Sequence, residues 1–263
     1  MKGSPPPTKI IVLGCGASLG VPMAGPVGWG DCNPDNRRNA RMRPSVVVKS
    51  TTTTILVDCS PDCRRQLLNH DIRAIDAIIF THSHADHVHG IDDVRGLRMY
   101  DDDKLIDAYA DPVTHQHIRE RFGYAVDTVH MDRGLYHPTL RMHDLTEEMM
   151  IGDIFVQSFP QHHGPIVSTG LRFGWFGYST DISEMQEKGW ETLKGVDTWI
   201  VDACRVKPHP SHAHLERALE WIERLSPRRA YLTHMNHTMD YDKLCQILPD
   251  GVRPAYDGLT LRP

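Results

Sequence analysis

The sequence predicts a layered α/β protein, and three observations carry that prediction. Short runs rich in Val, Ile and Thr recur along the chain, among them residues 9–13, Thr54–Val57 and 77–81. A helical stretch over residues 64–69 separates the second run from the third, which is the strand–helix–strand rhythm of a sheet covered by helices. The apolar runs also end alike: His82, His163, Asp181, Asp202 and His234 each follow one. Polar groups carried on strand ends share one rim of a sheet, where α/β folds tend to bind.

In chain order, residues 9–13 form a first strand that runs into Gly14-Cys15-Gly16-Ala17-Ser18-Leu19-Gly20. Three glycines after a strand suit a phosphate loop, but no helix-forming stretch follows and no lysine stands where such a loop needs one. A tight loop beside an active site is the better expectation. Residues 31–43 are polar and basic, with Arg37, Arg38, Arg41 and Arg43 close together. Such a cluster is usually a solvated face, although guanidinium forks also match phosphate oxygens. Ser45–Lys49 and Thr54–Val57 are two strands, and Asp58-Cys59-Ser60-Pro61 opens a helix. Residues 91–97 are a further helix, and the charged region 101–145, with a helix over 113–121, forms a flap or an edge.

A second half begins near Ile154, so the halves run roughly 9–150 and 151–263 within one domain of 1–263. Residues 170–178 read as a strand pair, 199–202 and 229–232 as short strands, and 256–261 as a hairpin at a sheet edge. Residues 214–225 carry a helical period with Leu215, Ala218, Leu219 and Ile222 on one side.

The strand over 77–81 ends in His82-Ser83-His84-Ala85-Asp86-His87. In a strand His82 and His84 project from one face, and a turn brings Asp86 and His87 back toward them. Four such groups within six residues are costly to crowd together without a cation, and imidazoles with a carboxylate suit zinc, manganese or iron. This is the pattern of a metal site.

Bulk properties narrow the class. The chain has 263 residues, 40% hydrophobic and 24% charged, as in an ordinary globular protein. A formal net charge of -5 argues against a generally basic nucleic-acid-binding surface. The 17 histidines are an excess; His115, His117 and His130 sit in polar surroundings and read as surface residues. Residues 1–7 resemble neither a signal peptide nor an anchor, and no apolar run is long enough to span a membrane. Six cysteines without a C-x-x-C pair read as reduced thiols of a cytoplasmic protein, with Cys59 and Cys63 able to face one another across a helical turn.

With a later His-Gly, an Asp after a strand and a final Thr-His, the His82–His87 motif resembles the metallo-β-lactamase superfamily. The opening Gly14–Pro22, Trp29-Gly30 with its basic sequel, Ser211-His212-Ala213-His214-Leu215 and Thr233-His234-Met235-Asn236-His237 are similar to the phosphoribosyl 1,2-cyclic phosphate phosphodiesterases of the carbon–phosphorus lyase pathway. The resemblance implies a four-layer αββα sandwich and two divalent metal ions. It places His82, His84 and His163 on one metal and Asp86, His87 and His234 on the other, with Asp181 bridging. His163 is chosen over His162 because it directly precedes the glycine. Asp58 corresponds to an aspartate that orients the ligands from behind.

The implied chemistry is hydrolysis of a small (cyclic) phosphodiester such as 5-phosphoribosyl 1,2-cyclic phosphate. A hydroxide between the cations is the nucleophile. His212 is the general acid, and Asp86 is counted as catalytic as well as a ligand. His214 and His237 are substrate-binding candidates, and His237 could also give the proton. The relatives carry a structural zinc on several cysteines after the Trp-Gly and on the last histidine; here Cys32 stands almost alone with His237, so that site is expected to be absent or altered. The expected partner is a small phosphorylated sugar or nucleotide, with pairing of two copies left open. The rival readings are an RNA-processing nuclease, a thioester or lactone hydrolase, and a non-catalytic metal-binding protein.

Overall fold

A computed structural model describes residues 7–98, 105–126 and 138–263, and two sheets organise them. The first contains β1 (Lys9–Gly14), β2 (Ser45–Lys49), β3 (Thr54–Val57), β4 (Ala77–Ile79), β5 (Ile106–Ala110) and β6 (Leu140–Asp144) in that spatial order. The second contains β7 (Glu148–Ile151), β8 (Ile154–His163), β9 (Ile166–Phe173), β10 (Phe176–Ser179), β11 (Glu184–Met185), β12 (Thr198–Asp202), β13 (Arg229–Thr233) and β14 (Val252–Pro254). A last strand, β15 (Thr260–Leu261), returns to the first sheet and pairs antiparallel with β1.

The alternation of side chains across each strand makes the layers. On β1, Ile10 and Val12 enter one core while Ile11 and Leu13 enter another; on β3, Ile55 and Val57 part from Leu56 in the same way. The first core fills the space between the sheets, where Ile79 of β4 and Phe159, Leu171 and Tyr178 of the second sheet also lie. It continues to the far side of that sheet, where α4 (Glu187–Leu193), α5 (Leu215–Leu225) and α6 (Tyr241–Ile247) contribute Trp190, Ala218, Ile222 and Leu244. The second core lies under α1 (Cys63–Asn69), α2 (Ala85–Val88) and α3 (Pro112–Val126), through Leu67, Val88 and Ile118. Helix, sheet, sheet, helix is the αββα sandwich.

Sheet direction explains why one rim collects the functional groups. β3, β4, β5 and β6 run parallel to one another, and so do β10, β12, β13 and β14. Their C-terminal ends therefore point to one edge of each sheet. Thr169 N of β9 donates to Thr81 O beyond β4 at 2.9 Å, so a backbone bond ties the two sheets at that edge.

Some elements differ from the expectation. The hairpin over 256–261 does not form. Leu259 N donates to Tyr256 O and Gly258 N to Val12 O, so the segment turns, and only β15 is extended. Residues 91–97 are a 3-10 helix, Ile91–Arg98. The region 101–145 supplies β5, α3 and the edge strand β6 where it is described. His130 lies outside the described residues.

Candidate metal centre

Three of the polar residues at strand ends adopt left-handed backbone: Asp58 (φ 61°), Asp181 (φ 52°) and His234 (φ 56°). Each follows directly or within two residues on β3, β10 or β13. This conformation costs a side-chain-bearing residue roughly 1–2 kcal/mol. It turns the chain sharply off the sheet and aims the side chain across the rim, a form of strain that gathers at functional sites. Asp86 and His87 arrive differently, on the single turn of α2, which folds back under His82 and His84.

The result is two groups of side chains sharing one carboxylate. His82, His84, His163 and Asp181 each offer an atom within 4.8 Å of the others, and so do Asp86, His87, Asp181 and His234. Asp181 Oδ1 lies 3.6 Å from His163 Nε2 and 3.3 Å from His234 Nε2, while its Oδ2 lies 3.1 Å from His87 Nε2. His87 Nε2 and His234 Nε2 are each 3.4 Å from Asp86 Oδ2.

The opposite ring nitrogens are anchored. Asp58 Oδ2 is 2.7 Å from His87 Nδ1 and also accepts from Thr81 Oγ1 at 2.8 Å, while its Oδ1 accepts from Thr81 N. Thr81 Oγ1 in turn stands 3.1 Å from His82 Nδ1, and His163 Nδ1 donates to Ser211 O at 2.6 Å. By contrast, Nε2 of His82 and of His87 are buried and without a hydrogen-bond partner among the described residues. An imidazole held by one nitrogen, with the other turned unpaired into a nest of carboxylate and imidazole, fits a divalent cation. Nitrogen and oxygen donors suit zinc, manganese or iron.

The electrostatics agree. Burial holds His82, His84 and His163 below the ordinary imidazole value. Burial would depress His87 and His234 too, yet Asp181, with Asp58 and Asp86 beside His87 and Asp86 beside His234, holds both well above it. Burial would raise Asp86 and Asp181, yet the facing His87 and His234 hold both well below the usual carboxylate range. The carboxylates thus favour positive charge at His87 and His234, in the electrostatic place a cation would take.

His212 stands over this centre. Its ring stacks on His234 with centroids 4.6 Å apart, and its Nδ1 is 2.8 Å from Asp202 Oδ2. Asp202, fully buried at the end of β12, also accepts from Ile182 N. The sequence marked Asp202 only as a strand-end residue; its partnership with His212 becomes visible when the loop after β12 folds back over the rim. Cys204 is a second unforeseen neighbour, grouped with His212 and His234.

The other candidates are not among the ligand groups. His214 caps α5, 3.8 Å from Glu216, and His237 packs against Gly30; neither belongs to the groups around Asp181. His117 is half-buried, its Nδ1 2.9 Å from Ser83 Oγ in the histidine motif. In the basic segment, Arg38 bonds Tyr241 and Arg43 pairs with Asp62. Arg41 is buried, with Nη1 3.8 Å from Cys32 Sγ and Nη2 donating to Met239 O at 2.6 Å and Asn39 Oδ1 at 3.2 Å. Cys59 and Cys63 face each other, Sγ to Sγ 3.4 Å, as free thiols. No helix of the described residues is long and apolar enough to cross a membrane.

A family model described as a beta-lactamase superfamily domain matches residues 53–235, the stretch that carries every member of both groups. The chain belongs to the beta-lactamase superfamily. Among solved structures it is similar to a diphosphatase from the PhnP family, with a TM-score of 0.87, 33% identity, and 97% of this chain and 98% of that one covered. Its fold is also that of zinc-bound PqqB from Methylobacterium extorquens, with a TM-score of 0.76, 18% identity, and 97% and 100% of the two chains covered. Among curated proteins it is 30% identical over 258 residues to an octanoyltransferase of Porphyromonas gingivalis. The match takes in 95% of this chain and 51% of that relative, so the chain spans about half the relative's length.

Proposed function

We propose that the chain hydrolyses a small phosphodiester at a pair of divalent metal ions, zinc or manganese being the best suited and iron also compatible. The observation that carries this reading is Asp181, whose two carboxylate oxygens face both ligand groups at once. His82, His84 and His163 would hold one ion, Asp86, His87 and His234 the other, with Asp181 shared. When bound, the ions supply Lewis acidity toward phosphoryl oxygens and lower the pKa of water.

The chain's own residues do the rest. Asp58 and Thr81 fix the tautomers of His87 and His82, so that Nε2 of each keeps its lone pair for binding. Asp86 and Asp181 concentrate negative charge that would balance the ions. Asp202 accepts from His212 Nδ1, so that His212 in its imidazolium form would give its Nε2 proton to the departing oxygen of the ester and be left as the neutral Nδ1–H imidazole. The substrate class is a small phosphorylated sugar or nucleotide, of which 5-phosphoribosyl 1,2-cyclic phosphate is the chosen example. A diphosphate is the second reading, favoured by the 33% identical diphosphatase of the PhnP family. His214 and His237 belong to neither ligand group around Asp181, and their proposed part is contact with the substrate rather than with metal. Free thiols at all six cysteines support a cytoplasmic setting.

The test is a substrate panel. Metal-loaded protein is offered bis-p-nitrophenyl phosphate, a ribosyl cyclic phosphate, a nucleoside diphosphate, an octanoyl thioester and a lactone. Turnover of the diesters above the thioester and lactone is expected. Diester turnover at background beside rapid thioester hydrolysis would sink the reading.

A further inference from the structure

A cavity of about 660 Å³ opens on the face of the first sheet where α1 meets the loops after β1. Val21, Pro22, Trp29, Arg37, Arg41, Arg65, Asn69 and Asp257 are on its wall, and no member of the two metal-ligand groups is. Its volume lies within the range of small-molecule sites.

Three guanidinium-bearing residues from two segments, the loop before β2 and α1, line this cavity. Arg37 stands on a 3-10 turn, Arg37–Asn39, and Arg65 on α1, one helical turn before Asn69 on the same face. Both are exposed, and neither side chain has a hydrogen bond or ion pair with the described residues. Arg38, next in sequence, is by contrast committed to Tyr241 and lies over the Tyr241 and Tyr256 rings. Arg41 is 2% exposed, and its Nε is buried without a partner. The one carboxylate on the wall is Asp257, and both its oxygens are taken: Oδ1 accepts from Cys15 N at 3.1 Å and Oδ2 from Met42 N at 2.7 Å. Two free guanidinium forks on the same wall as a third, buried one form an excess of positive charge in a chain whose net charge is -5. Guanidinium forks match phosphate oxygens in pairs, and an indole beside them offers a face for a flat ring.

We propose that this cavity binds a small phosphorylated ligand with a flat ring, a mononucleotide in its simplest form, with the phosphate between Arg37 and Arg65 and the ring against Trp29. The site is separate from the metal centre. Short hydrogen-bonded paths connect the two: Asp257 accepts from Cys15 N, Cys15 O accepts from Met235 N, the residue after His234, and Arg41 donates to Asn236 O.

The test is equilibrium dialysis of the metal-loaded protein with labelled AMP and, in a second arm, inorganic phosphate. Wild type, R37E/R65E, W29A and H84A are compared, with circular dichroism confirming that each is folded. R37E/R65E is expected to weaken AMP and phosphate at least tenfold while bound metal stays unchanged. W29A is expected to weaken AMP and leave phosphate as it was, and H84A to keep wild-type AMP affinity. No AMP binding by wild type at millimolar concentration would overturn the proposal. Unchanged affinity in R37E/R65E, or loss of binding in H84A, would do the same, the latter by placing the ligand at the metal centre. An equal effect of W29A on both ligands would overturn the placement of the ring.

Discussion

Asp202 Oδ2 lies 2.8 Å from His212 Nδ1, and both side chains are buried against the rim that carries Asp181. A carboxylate behind an imidazole fixes which nitrogen keeps the proton and which way the ring faces. H212A should lower kcat by about 100- to 10,000-fold, the usual worth of a positioned general acid. D202N should lower kcat less, and adding it to H212A should cost little more, because the two act as one unit. Steady-state kinetics with metal analysis checks this; additive losses, or loss of metal in H212A, would show that His212 is not a proton donor held by Asp202.

Asp58 has three hydrogen-bond partners at the centre and no exposure to solvent. Replacing it by alanine leaves His87 Nδ1 without an acceptor in a buried place. Metal affinity should fall on the order of 10- to 100-fold, the usual effect of removing a carboxylate behind a metal-binding imidazole. Competition with a chromogenic chelator measures it.

Metal binding should depend on pH with a defined sign. His87 and His234 are held above the ordinary imidazole value by Asp181 and its neighbours, which favours their protonated form in the metal-free chain. A cation needs neutral imidazole, so binding must displace those protons. Affinity should rise with pH through the neutral range, and titration in buffers of different ionisation enthalpy should show proton release. Affinity that is flat or falls with pH would contradict the charge balance described for this centre.

Asp257 gives a stability prediction independent of metal. Burial pushes its carboxyl up to about 7, against the bonds from Met42 N and Cys15, whereas in the unfolded chain it returns to about 3.9. Between those values the folded protein binds the extra proton. Its contribution is therefore full below about pH 4 and is lost as pH rises through 7. The difference in unfolding free energy between wild type and D257N should shift against wild type from pH 5 to pH 8, read from urea midpoints.

The rim was legible in the sequence because apolar runs stop abruptly on His and Asp, and the structure gathers His82, His163, Asp181 and His234 there. The alternation on β1 and β3 likewise made the first sheet readable. β6, with only Leu140 buried and the residues after it half-buried or exposed, carries too little pattern to be seen, and so does the two-residue β11. α6 went unread because only Tyr241 and Leu244 of its seven residues are buried. Arg41 looked like part of a solvated basic run. Its burial depends on acceptors about 200 residues away, Asn236 O and Met239 O, which no local pattern announces.

The central claim is that Asp181 joins two metal sites, and counting metal tests it most directly. Wild type and D181A are equilibrated with zinc or manganese, freed of loose ion, and measured by elemental analysis. The account predicts two ions per wild-type chain and a loss of at least one in D181A, with diester turnover falling in step. One ion or none in the wild type, or two retained in D181A, would contradict it.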